Sequence, residues 1–360
     1  MENKRKILII NTSGLGIGGI TTHMLNYIEK IQDNIECTIV VTGQKSDRVL
    51  NEFSNMKCKL VFLPDRKKET IKYIRELRKV IKSTKFDVLH VHGNSSTMTI
   101  ELFLGKCSNI PIRIAHCHNS ICENLRLHKI LLHIFKHCYT QALACSELAG
   151  NWIFGENNFD ILPNAIDIDK FKYNPEIRRE YRLHLDIDDK TTLIGHVGNF
   201  NEQKNHQFII ELFEKYEQHN DAKLVLIGDG ALCENIKKMV CDLGLQDKVF
   251  FLGVRDDVNC WLQAMDLFLF PSKWEGFGMV LIEAQVSNLP IVASTEVPII
   301  TKVSNGIRYI DIKDDINEWE NTMTKLLMTH KRNKQIDQRI KKYDILENVD
   351  YLCKIYNTEC

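Results

Sequence analysis

Short apolar runs separated by stretches of helical periodicity recur from the first residues onward, and no other feature restricts the fold of this chain as strongly. Lys6–Asn11, Glu36–Val41, Lys59–Leu63, Asp87–His92, Pro111–His116 and Ala142–Cys145 read as buried strands. Strands apolar on both faces belong to parallel sheets, where crossover helices cover both sides. The pattern pauses over the polar stretch Pro163–Asp189 and restarts with Thr192–Val197, Lys223–Ile227, Lys248–Leu252, Asp266–Phe270 and Pro290–Ala293. Two α/β domains are expected: residues 1–165, then a linker over 166–190, then residues 191–340. Residues 341–360 read as a helical tail that could pack back on the N-terminal domain.

Composition agrees with a chain that folds throughout, because 44% of its 360 residues are hydrophobic and only 7 are prolines. The apolar run Ile7–Ile10 is too short for a signal-peptide core or a membrane span, so a cytosolic location is expected. Twelve cysteines occur singly with no CxxC pair, which reads as free thiols and no disulfide. The halves differ in charge. Residues 1–165 hold 22 basic against 15 acidic side chains, the remainder 25 against 32. With zero net charge and no interleaved basic and aromatic pattern, nucleic acid is not an expected partner. Nine Lys or Arg lie between Arg66 and Lys85, with Ile71, Ile74, Leu77 and Ile81 spaced for one buried helical face. That face suits contact with an anionic membrane, although most such faces are only solvated.

Several loops carry residues suited to binding a phosphorylated ligand. Gly14, Gly16 and Gly19 match GxGxxG after the first strand, but the second strand ends in Thr42 and Gly43 rather than in the acidic residue that a dinucleotide site requires. What remains is a turn at Gly18 and Gly19 opening a helix, where backbone N–H groups can approach a phosphate or sugar; a tight structural turn is the alternative. Pro271 to Gly278 follows the strand ending at Phe270 and leads into a helix carrying Glu283. Strand, glycine-bearing loop and helix start are how such sheets present an anion site, and the N–H groups of Phe277, Gly278 and Met279 would face the ligand; a capped surface helix with solvated acids is the alternative. Glu275 and Glu283 lie eight residues apart. At about 1.5 Å of helical rise per residue they are separated by roughly 12 Å, too far to cooperate at one bond and suited to opposite ends of a long ligand. Lys204, on the loop after Thr192–Val197, can reach a diphosphate, although a loop lysine by itself is usually only solvated, and Gly228-Asp229-Gly230 closes the next strand with a tight turn.

Taken together these elements resemble the retaining glycosyltransferases of family 4, over nearly the whole chain. The resemblance is carried by Gly18-Gly19, His116-Cys117-His118-Asn119, Leu162-Pro163-Asn164-Ala165-Ile166-Asp167, the Lys204 loop, Gly228-Asp229-Gly230, Pro271-Ser272 and the Glu275-to-Glu283 element. It implies the GT-B architecture, two Rossmann-like domains facing across a cleft. It also implies that Glu283 holds the donor ribose, Glu275 the sugar hydroxyls, the backbone of Gly276, Phe277, Gly278 and Met279 the sugar and phosphate, and Lys204 the diphosphate. His118 would sit by the reacting sugar. Asn199 and Ala165 depart from the pattern, which usually has Arg and Gly there; Asn199 offers a neutral amide where an arginine would bring charge and a fork of donors.

The implied activity is transfer of a sugar, with retention, from a nucleotide-sugar, expectedly a UDP-sugar, to a glycan or lipid-linked acceptor in cell-surface polysaccharide synthesis. No cofactor is called for. His133 and His137, spaced i, i+4, invite a zinc reading that is set aside, since HExxH and cysteine pairs are absent; no metal ligand is assigned. Two other readings stay open: a nucleotide-sugar epimerase on the same architecture, and a non-catalytic nucleotide-sugar-binding protein.

Overall fold

A computed structural model describes residues 4–359. The chain divides into two compact units, one of residues 1–166 with 342–360 and one of residues 167–341. The first contains β1 (Arg5–Asn11), β2 (Ile35–Val41), β3 (Lys59–Phe62), β4 (Val88–Gly93), β5 (Ile112–Cys117), β6 (Gln141–Ala144) and β7 (Asp160–Ile161). They form one parallel sheet in the order β3-β2-β1-β4-β5-β6-β7. Period-2 alternation divides the sheet's side chains between two cores. Ile7 and Ile9 face the helices Gly19–Ile31 and Asp47–Asn55, while Leu8 and Ile10 face Thr70–Ser83 and Thr99–Cys107.

The second unit repeats the plan with β8 (Thr192–Val197), β9 (Ala222–Ile227), β10 (Val249–Gly253), β11 (Leu267–Phe270), β12 (Ile291–Ser294) and β13 (Ile307–Ile310), ordered β10-β9-β8-β11-β12-β13 and again parallel. Its cores divide the same way, Leu193 on one face and Ile194 on the other.

Residues 166–190 are not a linker. They carry the helices Ile168–Phe171 and Pro175–Leu183, and both belong to the second unit. The polar composition that suggested a linker is consumed by buried ion pairing. Arg182 is 2% exposed and donates to Asp266 at 2.9 Å and to the carbonyls of Ala264 and Thr191, while Arg178 pairs with Asp266 at 2.8 Å. Ten cysteines are free thiols, but Cys353 is disulfide-bonded, which corrects the expectation of none.

The last helix, Ile345–Tyr356, completes the first unit. Ile345, Val349, Leu352 and Tyr356 recur at helical spacing and enter the same core as Met24, Tyr27, Ile28 and Ile31. Backbone hydrogen bonds between Ile166 and the Tyr343–Ile345 segment hold the returning chain, and Arg5 Nε donates to the carbonyl of Asn357 at 3.1 Å. Leu352→Ala is therefore expected to cost about 2–5 kcal/mol, read as a lowered denaturation midpoint. Leu346→Ala, at a 54% exposed position on the same helix, should stay within about 0.5 kcal/mol of wild type.

Candidate functional site

In an open parallel sheet the loops that can hold a ligand emerge at the carboxyl ends of the strands, where the strand order reverses. In the second unit that point lies between β8 and β11. The loops leaving these two strands carry Lys204 and Glu275, and the two side chains meet: Lys204 Nζ donates to Glu275 Oε2 at 2.5 Å, with 15% and 11% of the side chains exposed. Gln203 holds the other carboxylate oxygen at 3.2 Å and the carbonyl of Trp274 at 3.0 Å, while the Lys273 N–H donates to the Gln203 carbonyl. Lys204 Nζ also lies 4.5 Å over the Phe270 ring, and Asn205 Nδ2 donates to the carbonyl of Pro271. Neighbouring turns are packed backbone to backbone. A Cβ at Gly228 would fall 2.0 Å from the Gly198 carbonyl oxygen, and one at Gly230 2.5 Å from Asn199 Oδ1. Asn199 itself is exposed beside that turn.

Gly276 and Phe277 lead to Gly278, a left-handed residue (φ 79°) that caps the helix Met279–Val286. Glu283 lies on this helix, half-buried, and no hydrogen bond or ion pair joins its carboxylate to another described residue. Its environment is nevertheless poorly hydrated. Burial pushes the carboxyl up to about 7.

In the first unit the order reverses between β1 and β4. Gly18 and Gly19 start the helix after β1; neither has a left-handed φ, and a Cβ on either would meet nothing within 4 Å. The fold therefore gives no steric reason for glycine at these two positions, in contrast to Gly14, where a Cβ would lie 2.4 Å from the Gln44 carbonyl oxygen. His118 follows β5 and joins a group of imidazoles. His92 Nδ1 and His118 Nε2 are hydrogen-bonded at 2.9 Å, His90 Nε2 and His116 Nδ1 at 3.2 Å, and His90 Nδ1 and the Tyr356 hydroxyl at 2.6 Å. His23 on the first helix lies edge-on to His116 and His118, with ring centroids 4.8 and 4.9 Å away. Burial, reinforced in four of the rings by their neighbours, holds all five far below the usual imidazole value, with His90 and His118 lowered to about 3. The group is uncharged at neutral pH.

Two family models tile the chain: Glycosyltransferase Family 4 over residues 17–170 and Glycosyl transferases group 1 over residues 177–352. EpsF of Bacillus subtilis, a protein named as a glycosyltransferase, is 27% identical across 99% of this chain and 98% of its own. An Escherichia coli UDP-Gal:α-D-GlcNAc-diphosphoundecaprenol α-1,3-galactosyltransferase is 26% identical over 62% of each chain. In fold, the chain superposes on Anabaena Alr3699/HepE, solved in complex with UDP, with a TM-score of 0.79 at 15% identity, over 98% of this chain and 99% of the other. The chain is a GT-B glycosyltransferase.

Within this glycosyltransferase the expected donor residues of the second unit lie on two loops, those after β8 and β11, and on the helix Met279–Val286, while Gly18 and Gly19 belong to the first unit. Lys204 and Glu275 are in direct contact, which spacing along the sequence did not anticipate. Gln203, which clasps Glu275, carried no signal beyond its place beside the lysine. In the first unit, His23, His92 and His116 also escaped sequence reasoning as companions of His118. They are scattered along the chain, and only the His-x-His alternation of two adjacent strands hinted at a shared face.

Glu283 gives the site a measurable pH signature. A folded value raised above the ordinary carboxyl range leaves stability undiminished below about pH 4.5, and ionisation then erodes it as pH rises towards 7. Glu283→Gln should melt at or above the wild-type temperature at pH 8, with the gap closing by pH 5. A Glu283→Gln protein less stable than wild type at pH 8 would contradict the raised value.

Proposed function

We propose that this glycosyltransferase moves a sugar, with retention of anomeric configuration, from a UDP-sugar to a lipid-linked glycan during cell-surface polysaccharide assembly on the cytoplasmic side of the membrane. The observation that carries the proposal is the Lys204–Glu275 pair at the switch point of the second sheet, beside the start of the Glu283 helix. It sets a cation, a sugar-binding acid and free helix N–H groups around one position, as a charged leaving group attached to a sugar requires. Glu283 accepts hydrogen bonds from the ribose. The anomeric C–O bond to the diphosphate breaks with its electron pair on the leaving oxygen, stabilised by Lys204 and the N–H groups of Gly278 and Met279 without need of a metal. The acceptor hydroxyl oxygen bonds to the anomeric carbon on the face that the diphosphate leaves and passes its proton to the departing diphosphate oxygen. Asn199 contributes an amide to the diphosphate; of the first unit's residues, Gly18 and Gly19 offer backbone N–H groups and His118 an imidazole suited to sugar hydroxyls. The UDP-Gal-dependent relative with its diphosphoundecaprenol-linked acceptor, and the UDP complex of the Anabaena structure, support the choice of donor and acceptor class.

The ion pair alters what each variant should do. In the unliganded enzyme Glu275 restrains Lys204, so Glu275→Ala should leave nucleoside diphosphate affinity unchanged or tighter while lowering turnover. Lys204→Ala should cost about 1.5–3 kcal/mol of donor or transition-state binding, a tenfold to over a hundredfold loss. Calorimetry with UDP and kinetics with donor, in the presence of a chelator, measure both, and the anomer of the product is read by NMR. Normal kinetics in Lys204→Ala would place the diphosphate elsewhere, and an epimerised donor as product would replace transfer with epimerisation.

Membrane contact is better assigned to a different helix from the one that composition favoured. In the Arg66–Lys85 segment five of the nine basic residues are offset: Lys72 pairs with Glu69, Lys79 and Arg75 with Glu76, and Lys67 with Glu123, while Arg66 is buried against Glu101. The helix Leu125–Phe135 instead exposes Leu127, Ile130 and Ile134, with Ile121 and Phe103 also exposed, alongside Arg126, Lys129 and Lys136 and no acidic residue of its own. Apolar side chains flanked by cations match the interface of an anionic bilayer. Among the described residues no helix is long and apolar enough to cross a membrane. Ile130→Ser combined with Ile134→Ser should weaken binding to phosphatidylglycerol vesicles more than tenfold, since each apolar side chain withdrawn from water is worth about 1.5–3 kcal/mol. Reversing Lys72, Arg75, Lys79 and Lys82 to Glu should weaken it less. Full vesicle binding by the double Ser variant would remove this helix from the account.

A further inference from the structure

The imidazole group in the first unit is assembled by register. His92 on β4 pairs directly with His116 on β5, so the two-residue period of each strand sends His90, His92, His116 and His118 to one face of the sheet. The helix Gly19–Ile31 lays His23 over them. In His23, His92, His116 and His118 one ring nitrogen each lies within 4.8 Å of the others.

We propose that these four imidazoles form a binding site for a late first-row transition metal ion of the Zn2+ class. The donor set argues for that class: four neutral nitrogens with no carboxylate among them suit zinc, nickel, cobalt or copper and offer nothing to magnesium or calcium, which take oxygen ligands. The spacing is within reach. A tetrahedral ion with bonds of about 2.0–2.1 Å needs donor nitrogens about 3.3 Å apart, a contraction that small ring rotations supply.

Two further observations point the same way. His116 Nε2 is a buried ring nitrogen with no hydrogen-bond partner, and the buried His23 Nδ1 and His118 Nδ1 have no well-formed hydrogen bond, with only the Asn164 side chain near these two as a partner. Such groups are costly to leave unpaired, and a metal ion would satisfy imidazole lone pairs directly. An outer shell also exists. With His116 Nδ1 donating to His90 Nε2, and His90 Nδ1 donating to the Tyr356 hydroxyl, the lone pair of His116 falls on the unpartnered Nε2, and the ring is held by a chain ending on the C-terminal helix. Second-shell hydrogen bonds of this kind fix a ligand's tautomer and raise its basicity. His118 alone of the four retains solvent exposure, which provides the path of entry.

Co2+ added to the full-length, tag-free protein tests this directly, because tetrahedral cobalt has an intense visible band that octahedral cobalt lacks. One equivalent per chain should give the band, and Zn2+ should displace it. His90→Phe, which removes the ring hydrogen-bonded to His116, should weaken the affinity about tenfold or more, the usual effect of losing a second-shell partner. The surface pair His133→Ala with His137→Ala should leave the band intact. X-ray absorption on the wild-type zinc form needs no variant and should show four imidazole nitrogens at about 2.0 Å. Absence of the band at micromolar protein and metal, fewer than three imidazoles in the absorption spectrum, or loss of binding only in the His133/His137 variant would each overturn the proposal.

Discussion

Parallel strands cannot be joined by tight turns, so every neighbouring pair in these two sheets is bought with a crossover that covers a face of the sheet. That constraint governs both units. It buries the central strands on both sides, sends all the strands' carboxyl ends to one edge, and leaves that edge as the place where loops can be polar. His118 follows β5, Lys204 follows β8, Gly230 follows β9 and Glu275 follows β11. None of them costs the core anything, because each lies just beyond the last residue that the sheet needs.

The two acids of the second unit are treated in opposite ways. Glu275 is held by a lysine and a glutamine, so its charge is compensated before any ligand arrives, and a ligand must offer at least as much to part the pair. Breaking such a pair without replacing it is expensive. Glu283 has no such partner, and its carboxyl is driven up to about 7 by burial. A hydrogen-bond donor arriving there would find a carboxylate that no other described residue engages. The first site is therefore preorganised by satisfaction and the second by deprivation, eight residues apart in one loop-helix element.

Most of the architecture was legible because burial on both faces leaves a dense apolar signature. The strands that escaped notice are those lacking it. Asp160–Ile161 is two residues long and exposed, and Ile307–Ile310 is an edge strand whose Arg308 faces solvent. Residues 166–190 misled because polar side chains were taken as a sign of solvent, whereas Arg178 and Arg182 spend their charge on Asp266 and on backbone carbonyls. Of the site, glycine-bearing loops could be read locally, since one segment holds the whole signal. Contacts between loops could not. The imidazole group depends on the register of β4 against β5 and on a helix some seventy residues earlier, none of which is written at any fixed spacing.

The closing of the first unit by Ile345–Tyr356 has a consequence for synthesis. On the ribosome the usual order is that the N-terminal domain folds while the rest is still being made. Here the first 166 residues emerge without the helix whose Leu352 and Tyr356 fill their core, whereas residues 167–341 form a contiguous segment with every strand of their sheet. The second unit is thus the one able to finish first, and the first must wait, its helix Gly19–Ile31 uncovered, until Ile345–Tyr356 has been translated. A nascent chain of this protein presents the uncovered apolar surface of its first unit to chaperones, and the emergence of Ile345–Tyr356 ends that exposure.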